Sequence, residues 1–247
     1  MKKQCCLLLL FLQCIVLASI EGEARKQLEE SFKHKTAEEI FTDIYNTNYW
    51  HGWESRSGQG SNLSTTKTIR AALPDIVHHF GIKTMVDAPC GDFNWMKSII
   101  NELSLDLYVG IDIVKPVIEQ CQRTYGSSSI VFKRADLITT PLERYDLIFS
   151  RDCLAHMSYQ NAMKVVKNFK SSGSTYLLTS HHIHTKKNRL ITNGDHYPIN
   201  LMLSPFHFPK PLFVVVERDA EVASAHQGKC LALWRLSDIS IDMFDAI

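Results

Sequence analysis

Short apolar runs recur through the middle of the chain, separated by charged or turn-forming residues. Continuous apolar character is typical of strands buried on both faces of a parallel sheet, so each run predicts a strand. The predicted strands lie at residues 83–87, 107–112, 130–132, 145–150 and 174–180. The third is expected to end near Asp136.

The segments between these runs carry apolar residues at helical spacing, which predicts helices at residues 93–103, 116–125 and 160–169. Strands that alternate with helices indicate an α/β fold, with a mostly parallel sheet and helices on both faces. The alternation then ends, because apolar runs at residues 213–217 and 230–234 are separated by a polar stretch without helical spacing. This pattern predicts an antiparallel hairpin at the end of the sheet.

A helical region at residues 25–80 precedes the predicted sheet. Residues 25–39 are charged with a weak apolar stripe, which predicts a solvated helix. The Gly and Ser content of residues 54–61 predicts a loop. Two further helices, divided at Pro74, are expected to lead up to Gly81.

The beginning of the sequence has the order of a secretory signal. Lys2 and Lys3 precede an apolar run at residues 5–20. A location in the secretory pathway or outside the cell is therefore expected. An uncleaved signal anchor is the alternative, although the run is shorter than the ~20 residues of a spanning helix. The predicted divisions are a signal, N-terminal helices with a lid, and a sheet domain, at residues 1–24, 25–80 and 81–247.

Charge and cysteine content exclude further classes of protein. Lys and Arg total 27 against 26 Asp and Glu, so the chain lacks the basic excess expected of a nucleic-acid binder. The cysteines beyond the signal show no CxxC spacing, so we expect neither a metal site nor an essential disulfide. They are Cys90, Cys121, Cys153 and Cys230. Asn62 begins an N-glycosylation sequence, which matters only if its loop is exposed.

Three aspartates lie at the predicted ends of successive strands. Asp87 ends the first strand, Asp112 the second and Asp136 the third. Ligands of doubly wound sheets bind at this edge, and a carboxylate after the second strand suits the hydroxyls of a ribose. Gly91 suits a sharp turn that lets a ligand approach the backbone. All three aspartates could instead form ordinary turns, and Asp136 could cap the turn that follows it.

Four segments resemble motifs of the class I S-adenosylmethionine-dependent methyltransferases. The first three, residues 86–92, 108–112 and 133–136, contain the three strand-end aspartates. Residues 145–156 are similar to the motif of the fourth strand. The resemblance implies a three-layer, Rossmann-like, seven-stranded sheet that ends in an antiparallel hairpin. It also implies S-adenosylmethionine as cofactor.

The resemblance implies a cofactor site at the carboxyl ends of the strands, with Asp87 and Gly91 facing the methionine portion, Asp112 the ribose and Asp136 the adenine. The expected cofactor-binding residues are Arg56, Asp87, Ala88, Pro89, Gly91, Asp112, Ile113, Asp136, Leu137 and Arg151. The turn departs from the family pattern, because Pro89 and Phe93 stand where glycines are common.

Residues outside these motifs suggest a lid and an acceptor pocket. Trp50, Trp53 and Arg56 could cover the cofactor, with Arg56 pairing its carboxylate, or they could serve packing and surface charge. Asn188, Asn200 and Arg189 could line the acceptor pocket.

Transfer to a hydroxyl needs a group that removes its proton, and the ends of the fourth and fifth strands offer Asp152, His156 and His181. The histidines at 181, 182 and 184 resemble a metal-ligand cluster, but neighbours on a strand face opposite ways. A solvated loop is the preferred interpretation.

The leading hypothesis is a methyltransferase that acts on a hydroxyl or similar nucleophile of a small molecule or glycan. No nucleic-acid partner is expected, and no stable membrane span unless the signal stays uncleaved. A secreted binding protein that has kept the fold without catalysis is the first alternative. A nicotinamide dehydrogenase is the second, and the missing GxGxxG sequence disfavours it.

Overall fold

A computed structural model of the chain describes residues 26–27, 29–220 and 228–241. The predicted signal at residues 1–24 lies outside the described residues. Within the described ranges, no helix is both long enough and apolar enough to cross a membrane.

The chain forms two compact units, Met1–Thr36 and Ala37–Ile247. In the first, residues 29–32 are helical. The second contains the sheet, so residues 37–80 belong to the same unit as the strands. The predicted functional division at residue 80 stays a prediction.

Seven strands of the described residues form one sheet in the order β3-β2-β1-β4-β5-β7-β6. They are β1 Thr84–Asp87, β2 Leu107–Asp112, β3 Ile130–Arg134, β4 Leu147–Ser150, β5 Tyr176–His182, β6 Phe213–Val216 and β7 Lys229–Arg235. Strands β1 to β5 pair in parallel, whereas β7 is antiparallel to both β5 and β6. The predicted fold class, including the terminal hairpin, is confirmed.

The described part of the second unit contains four α-helices. They are α1 Ala37–Thr47, α2 Lys67–His79, α3 Lys115–Tyr125 and α4 Tyr159–Ser171. The predicted break at Pro74 is wrong, because α2 continues through it. Proline removes one helical hydrogen bond, but burial of Leu73, Ile76 and Val77 holds the helix together on both sides of it.

The predicted helix at residues 93–103 is also wrong, because its only helical part is the short 3₁₀ segment Met96–Ser98. Phe93 has a left-handed backbone with φ of 60°, which a right-handed helix cannot include. The apolar spacing that suggested a helix instead reflects buried side chains in an irregular segment, such as Trp95 and Ile99.

The two faces of the sheet bury separate apolar clusters because successive side chains of a strand point in opposite directions. Val86 packs with Val166 of α4 on one face. Met85 packs with Val77 of α2 and Val117 of α3 on the other. These layers hold the strands rigidly and leave their carboxyl ends free to present polar side chains.

Candidate functional site

The turn after β1 brings the glycine and a carboxylate of the next strand together. The N–H of Gly91 donates to Asp112 Oδ2 at 3.1 Å. Gly91 has φ of 55°, in the left-handed region that favours glycine. Ala88 is fully buried and Pro89 is half-buried beside it. The structure therefore brings together the predicted residues of the first two strand ends.

Asp112 is buried at the end of β2, with one N–H bonded to each carboxylate oxygen. Besides Gly91, the N–H of Val114 donates to Oδ1 at 2.9 Å. Burial raises the pKa of Asp112 to about 6, and these backbone N–H groups limit the rise. Ile113, which follows, is half-buried. Asp112 therefore titrates just below neutral pH.

Asp87 is buried at the end of β1 and has a hydroxyl as its partner. Tyr108 Oη of β2 donates to Asp87 Oδ2 at 2.7 Å. Burial raises the pKa of Asp87 to about 8, and the bond from Tyr108 partly offsets the rise. Tyr108 was not among the site residues predicted from the sequence. The register of β1 and β2 sets Tyr108 beside Met85, two residues before Asp87, so the contact depends on the pairing of the two strands.

Asp136 follows β3 and caps the next turn. Its Oδ1 accepts the N–H of Ile138 at 2.9 Å, and its Oδ2 accepts the hydroxyl of Thr139 at 3.2 Å. Leu137 beside it is buried. Within the chain, Asp136 therefore acts as the turn cap that the sequence offered as an alternative. Contact of Asp136 with an adenine stays a prediction.

The loop after α1 lies directly on the turn after β1. Ser57 Oγ accepts the N–H of Asp92 at 2.9 Å, and a Cβ at Gly91 would meet Ser57 Oγ at 2.4 Å. The Asp92 carboxylate in turn accepts Ser55 Oγ at 2.8 Å and the N–H of Arg56 at 3.1 Å. This loop therefore covers the turn, as a lid would.

The three residues proposed for the lid have different environments. Trp50 packs on His156, with ring centroids 4.8 Å apart. Trp53 is 78% exposed. The Arg56 guanidinium is exposed and lies 5.7 Å from the ring centroid of Tyr45. Trp50 thus reaches the end of β4, whereas Trp53 does not pack into the site.

Four charged side chains form a cluster beyond β4, in which Arg151, Glu217 and Lys229 are buried and Asp152 is half-buried. Arg151 Nη2 pairs with Glu217 Oε2 at 2.7 Å, and Lys229 Nζ pairs with Asp152 Oδ2 at 2.6 Å. Arg151 Nη1 lies 3.2 Å from the same Asp152 oxygen. It also donates to the carbonyl of Gly60 at 2.8 Å, which ties the N-terminal loop to the cluster.

This cluster determines what Asp152 and Arg151 can do. Burial alone would raise the pKa of Asp152, but Lys229 and Arg151 hold it well below its usual range. Asp152 is therefore a permanent carboxylate and a weak base. Arg151 uses both terminal nitrogens on groups of the chain itself, so its predicted cofactor contact stays a prediction.

His156 has the geometry of a general base. Its Nδ1 lies 2.9 Å from the carbonyl oxygen of Asp195. Because a carbonyl only accepts hydrogen bonds, Nδ1 carries the proton and the lone pair lies on Nε2. Burial lowers the pKa of His156, so the ring is neutral at pH 7.

The predicted solvated loop at residues 181–184 is wrong for its first two histidines, which are buried in β5. Pairing with Lys229 and Cys230 of β7 extends the strand through them. His181 Nδ1 accepts the N–H of Leu201 at 3.1 Å, and burial lowers its pKa to about 4. Its position does not suit a general base, because the lone pair of the neutral ring is already used.

The structure also bears on the predicted glycosylation, disulfide and metal features. Asn62 is buried, so its side chain does not meet the exposure that glycosylation needs. Cys90, Cys121, Cys153 and Cys230 are free thiols. Within the described ranges, no group of three or more His, Cys, Asp and Glu residues is placed to hold a metal ion.

Solved structures of methyltransferases share this architecture. Magnesium protoporphyrin IX methyltransferase from Synechocystis PCC 6803, with bound SAM, aligns at a TM-score of 0.52 and 17% identity, over 81% of this chain and 97% of that one. Human N-acetylserotonin methyltransferase, in complex with SAM, aligns at 0.56 and 16%, over 89% and 65%. The chain has the fold of the SAM-dependent methyltransferases.

A curated methyltransferase also matches part of the sequence. Phosphoethanolamine N-methyltransferase of Plasmodium falciparum (isolate 3D7) is 33% identical over 86 residues, which are 32% of each protein. The chain thus matches about a third of the length of that relative. No family model matches the sequence. Within a methyltransferase fold, the turn after β1 and the ends of β2 and β3 are the places to test for cofactor binding.

Proposed function

We propose that this chain is an S-adenosylmethionine-dependent methyltransferase acting on a hydroxyl of a small molecule or glycan. The observation that carries the proposal is the contact between Gly91 and Asp112 at the carboxyl edge of a methyltransferase-type sheet. It joins the turn after β1 to the carboxylate after β2, at the edge where such sheets bind ligands.

The residues at these strand ends fit the cofactor. Asp112 accepts one N–H on each carboxylate oxygen, so lone pairs remain for the two hydroxyls of a ribose. Ile113 and Leu137 offer apolar contacts for an adenine, and Asp136 a carboxylate beside it. Asp87 would face the methionine portion. Bound S-adenosylmethionine supplies a methyl group on a positively charged sulfur.

His156 is the residue we assign to proton removal. Its Nε2 lone pair would accept the proton of the acceptor hydroxyl, while Asp152 stays ionised nearby. Packing of Trp50 against the ring limits the orientations of the imidazole. The chain must also align the acceptor hydroxyl with the methyl group, and side chains held at the edge of the sheet are suited to this.

The cellular location that we propose for the reaction is argued from the sequence alone. The order of residues 1–24 supports a secretory-pathway or extracellular enzyme, and a glycan acceptor would be available there. Nucleic acid is not proposed as an acceptor, because the charges of the chain nearly balance.

Transfer of a labelled methyl group from S-adenosylmethionine into fractions of a cell extract tests the proposal. We expect incorporation by the wild-type chain and a loss of ~100-fold or more in His156→Gln, the usual contribution of a general base. The matched control is His78→Gln, on the exposed face of α2. Binding of S-adenosylmethionine should persist in both variants.

The outcomes separate the two leading functions. Wild-type protein that binds S-adenosylmethionine but labels no fraction would favour the binding protein without catalysis. Equal incorporation by His156→Gln and wild type would remove His156 from the mechanism.

A further inference from the structure

The segment between β5 and β6, residues 183–212, concentrates positive charge. It contains four cationic side chains, Lys186, Lys187, Arg189 and Lys210, and one acidic residue, Asp195. The whole chain carries a formal net charge of only +1. The remainder is therefore slightly acidic overall, whereas this segment is basic.

The same segment forms a wall beside His156. The N–H of Gly194 donates to the carbonyl of His156 at 2.9 Å, and the N–H of Tyr197 donates to the carbonyl of Ala155 at 3.1 Å. The carbonyl of Asp195 is the partner of His156 Nδ1. The basic segment is thus attached to the residue that we assign to proton removal.

Arg189 is held in place without a carboxylate. Its guanidinium carbon lies 4.3 Å from the centroid of the Tyr197 ring, and the Tyr197 hydroxyl donates to the carbonyl of Lys187 at 2.8 Å. Neither Arg189 nor Lys187 forms an ion pair with a described residue. Stacking on an aromatic ring orients a guanidinium while its N–H groups stay available to an anion.

Buried amides fix the backbone that carries these cations. Asn188 Nδ2 donates to the carbonyls of Asn200 at 2.8 Å and Ser204 at 2.9 Å. Asn200 Nδ2 donates to the carbonyl of Thr185 at 2.9 Å. The two asparagines that the sequence suggested for the acceptor pocket therefore support the segment from within, and Arg189 is the exposed member of that set.

We propose that the methyl acceptor carries an anionic group, a carboxylate, sulfate or phosphate, and that Arg189 and Lys187 recognise it. The inference rests on the proposed function and adds the substrate class. The negative charge of Asp152 does not oppose such an acceptor, because Lys229 and Arg151 already pair with it. A planar guanidinium can bind two oxygens of the anion at once.

Calorimetric titration of the purified full chain with sucrose octasulfate, a soluble polyanion, tests the inference. We expect binding of the polyanion, no binding of uncharged sucrose, and affinity weakened ~10-fold or more in Lys187→Gln/Arg189→Gln. The matched control is Lys83→Gln/Arg144→Gln, which removes two exposed cations that precede β1 and β4 at the opposite edge of the sheet. Arg189→Lys should retain charge but lose part of the affinity.

A second arm separates a soluble anion from a lipid headgroup. The affinity of the chain for phosphatidylcholine vesicles that contain phosphatidylserine, measured by co-sedimentation, should be weaker than its affinity for the polyanion. Equal weakening of polyanion binding by the two double variants, or no binding in wild type, would overturn the inference. Titration of the same samples with S-adenosylmethionine keeps the proposed function separate, since failure there counts against that function alone.

Discussion

The carboxyl groups at the two halves of the sheet edge have different kinds of hydrogen-bonding and ionic partners. Asp87 and Asp112, after β1 and β2, have only hydroxyl and N–H donors, and burial raises their pKa to about 8 and about 6. Asp152, after β4, contacts Lys229 and Arg151, which hold its pKa well below the usual range. Asp87 and Asp112 therefore change their protonation near neutral pH, whereas Asp152 stays ionised.

The difference indicates what each half can do. A carboxylate with neutral donors and spare lone pairs can take up hydroxyl donors from a ligand, which suits the proposed cofactor side. A carboxylate enclosed by cations serves instead to fix neighbouring chain segments, because removal of any partner leaves a buried charge. The Arg151 bond to Gly60 shows this after β4, where the cluster holds the loop that contains Gly60.

The largest expected effect comes from breaking the ion cluster. Lys229→Met should lower the free energy of unfolding by about 3 to 5 kcal/mol, since Asp152 and Glu217 would then share Arg151 as their one buried cationic partner among the described residues. Denaturant titration measures it, with the exposed Lys115→Met as control. The double variant Lys229→Met/Glu217→Gln should lose less than the sum of the single variants. A loss below ~1 kcal/mol for Lys229→Met would show that the cluster contributes little.

Protonation of Asp112 should affect stability and cofactor affinity in opposite directions. Its pKa is raised from 3.8 to about 6 in the folded chain. Its contribution to stability is therefore full below about pH 4 and lost as pH rises through 6, by about 1.4 kcal/mol per pKa unit. Affinity for S-adenosylmethionine should instead weaken as pH falls through about 6, because the carboxylate accepts the ribose hydroxyls.

Denaturant titrations and calorimetry between about pH 4 and pH 7 measure both trends. In Asp112→Asn, both the stability and the affinity for S-adenosylmethionine should depend less on pH. Affinity that strengthens as pH falls would contradict a carboxylate contact with the ribose.

A smaller effect is expected from the hydroxyl partner of Asp87. Tyr108→Phe should cost about 1 to 2 kcal/mol, because a buried carboxyl oxygen loses its donor. Tyr159→Phe is a matched control, since Tyr159 Oη has no hydrogen-bond partner among the described residues. Thermal unfolding of the two variants measures the difference. Equal stability would mean that the Tyr108 bond adds nothing to the cofactor side.

The strands and the antiparallel hairpin at the end of the sheet were accessible to sequence analysis. Buried parallel strands appear as continuous apolar runs, and the aspartates at their ends mark where those runs stop. The methyltransferase motifs then indicated the cofactor side, including Asp87, Gly91 and Asp112. Local pattern gave the strands, whereas the roles of these residues rest on the family resemblance and stay predictions.

The ion cluster was not accessible in this way. Glu217 is 66 residues from Arg151, and Lys229 is 77 from Asp152, so only the completed sheet brings them together. The predicted helix at residues 93–103 failed for a related reason. The spacing of apolar residues indicates which side chains are buried. It does not reveal the left-handed backbone of Phe93, which prevents a regular helix from starting there.

Calorimetric titration with S-adenosylmethionine tests the central claim most directly. We expect saturable binding by the wild-type chain at pH 7, an affinity at least ~10-fold weaker in Asp112→Ala, and little change in Asp106→Ala at the opposite end of β2. NAD should not bind. Absence of S-adenosylmethionine binding, or equal affinity of Asp112→Ala and wild type, would contradict the account.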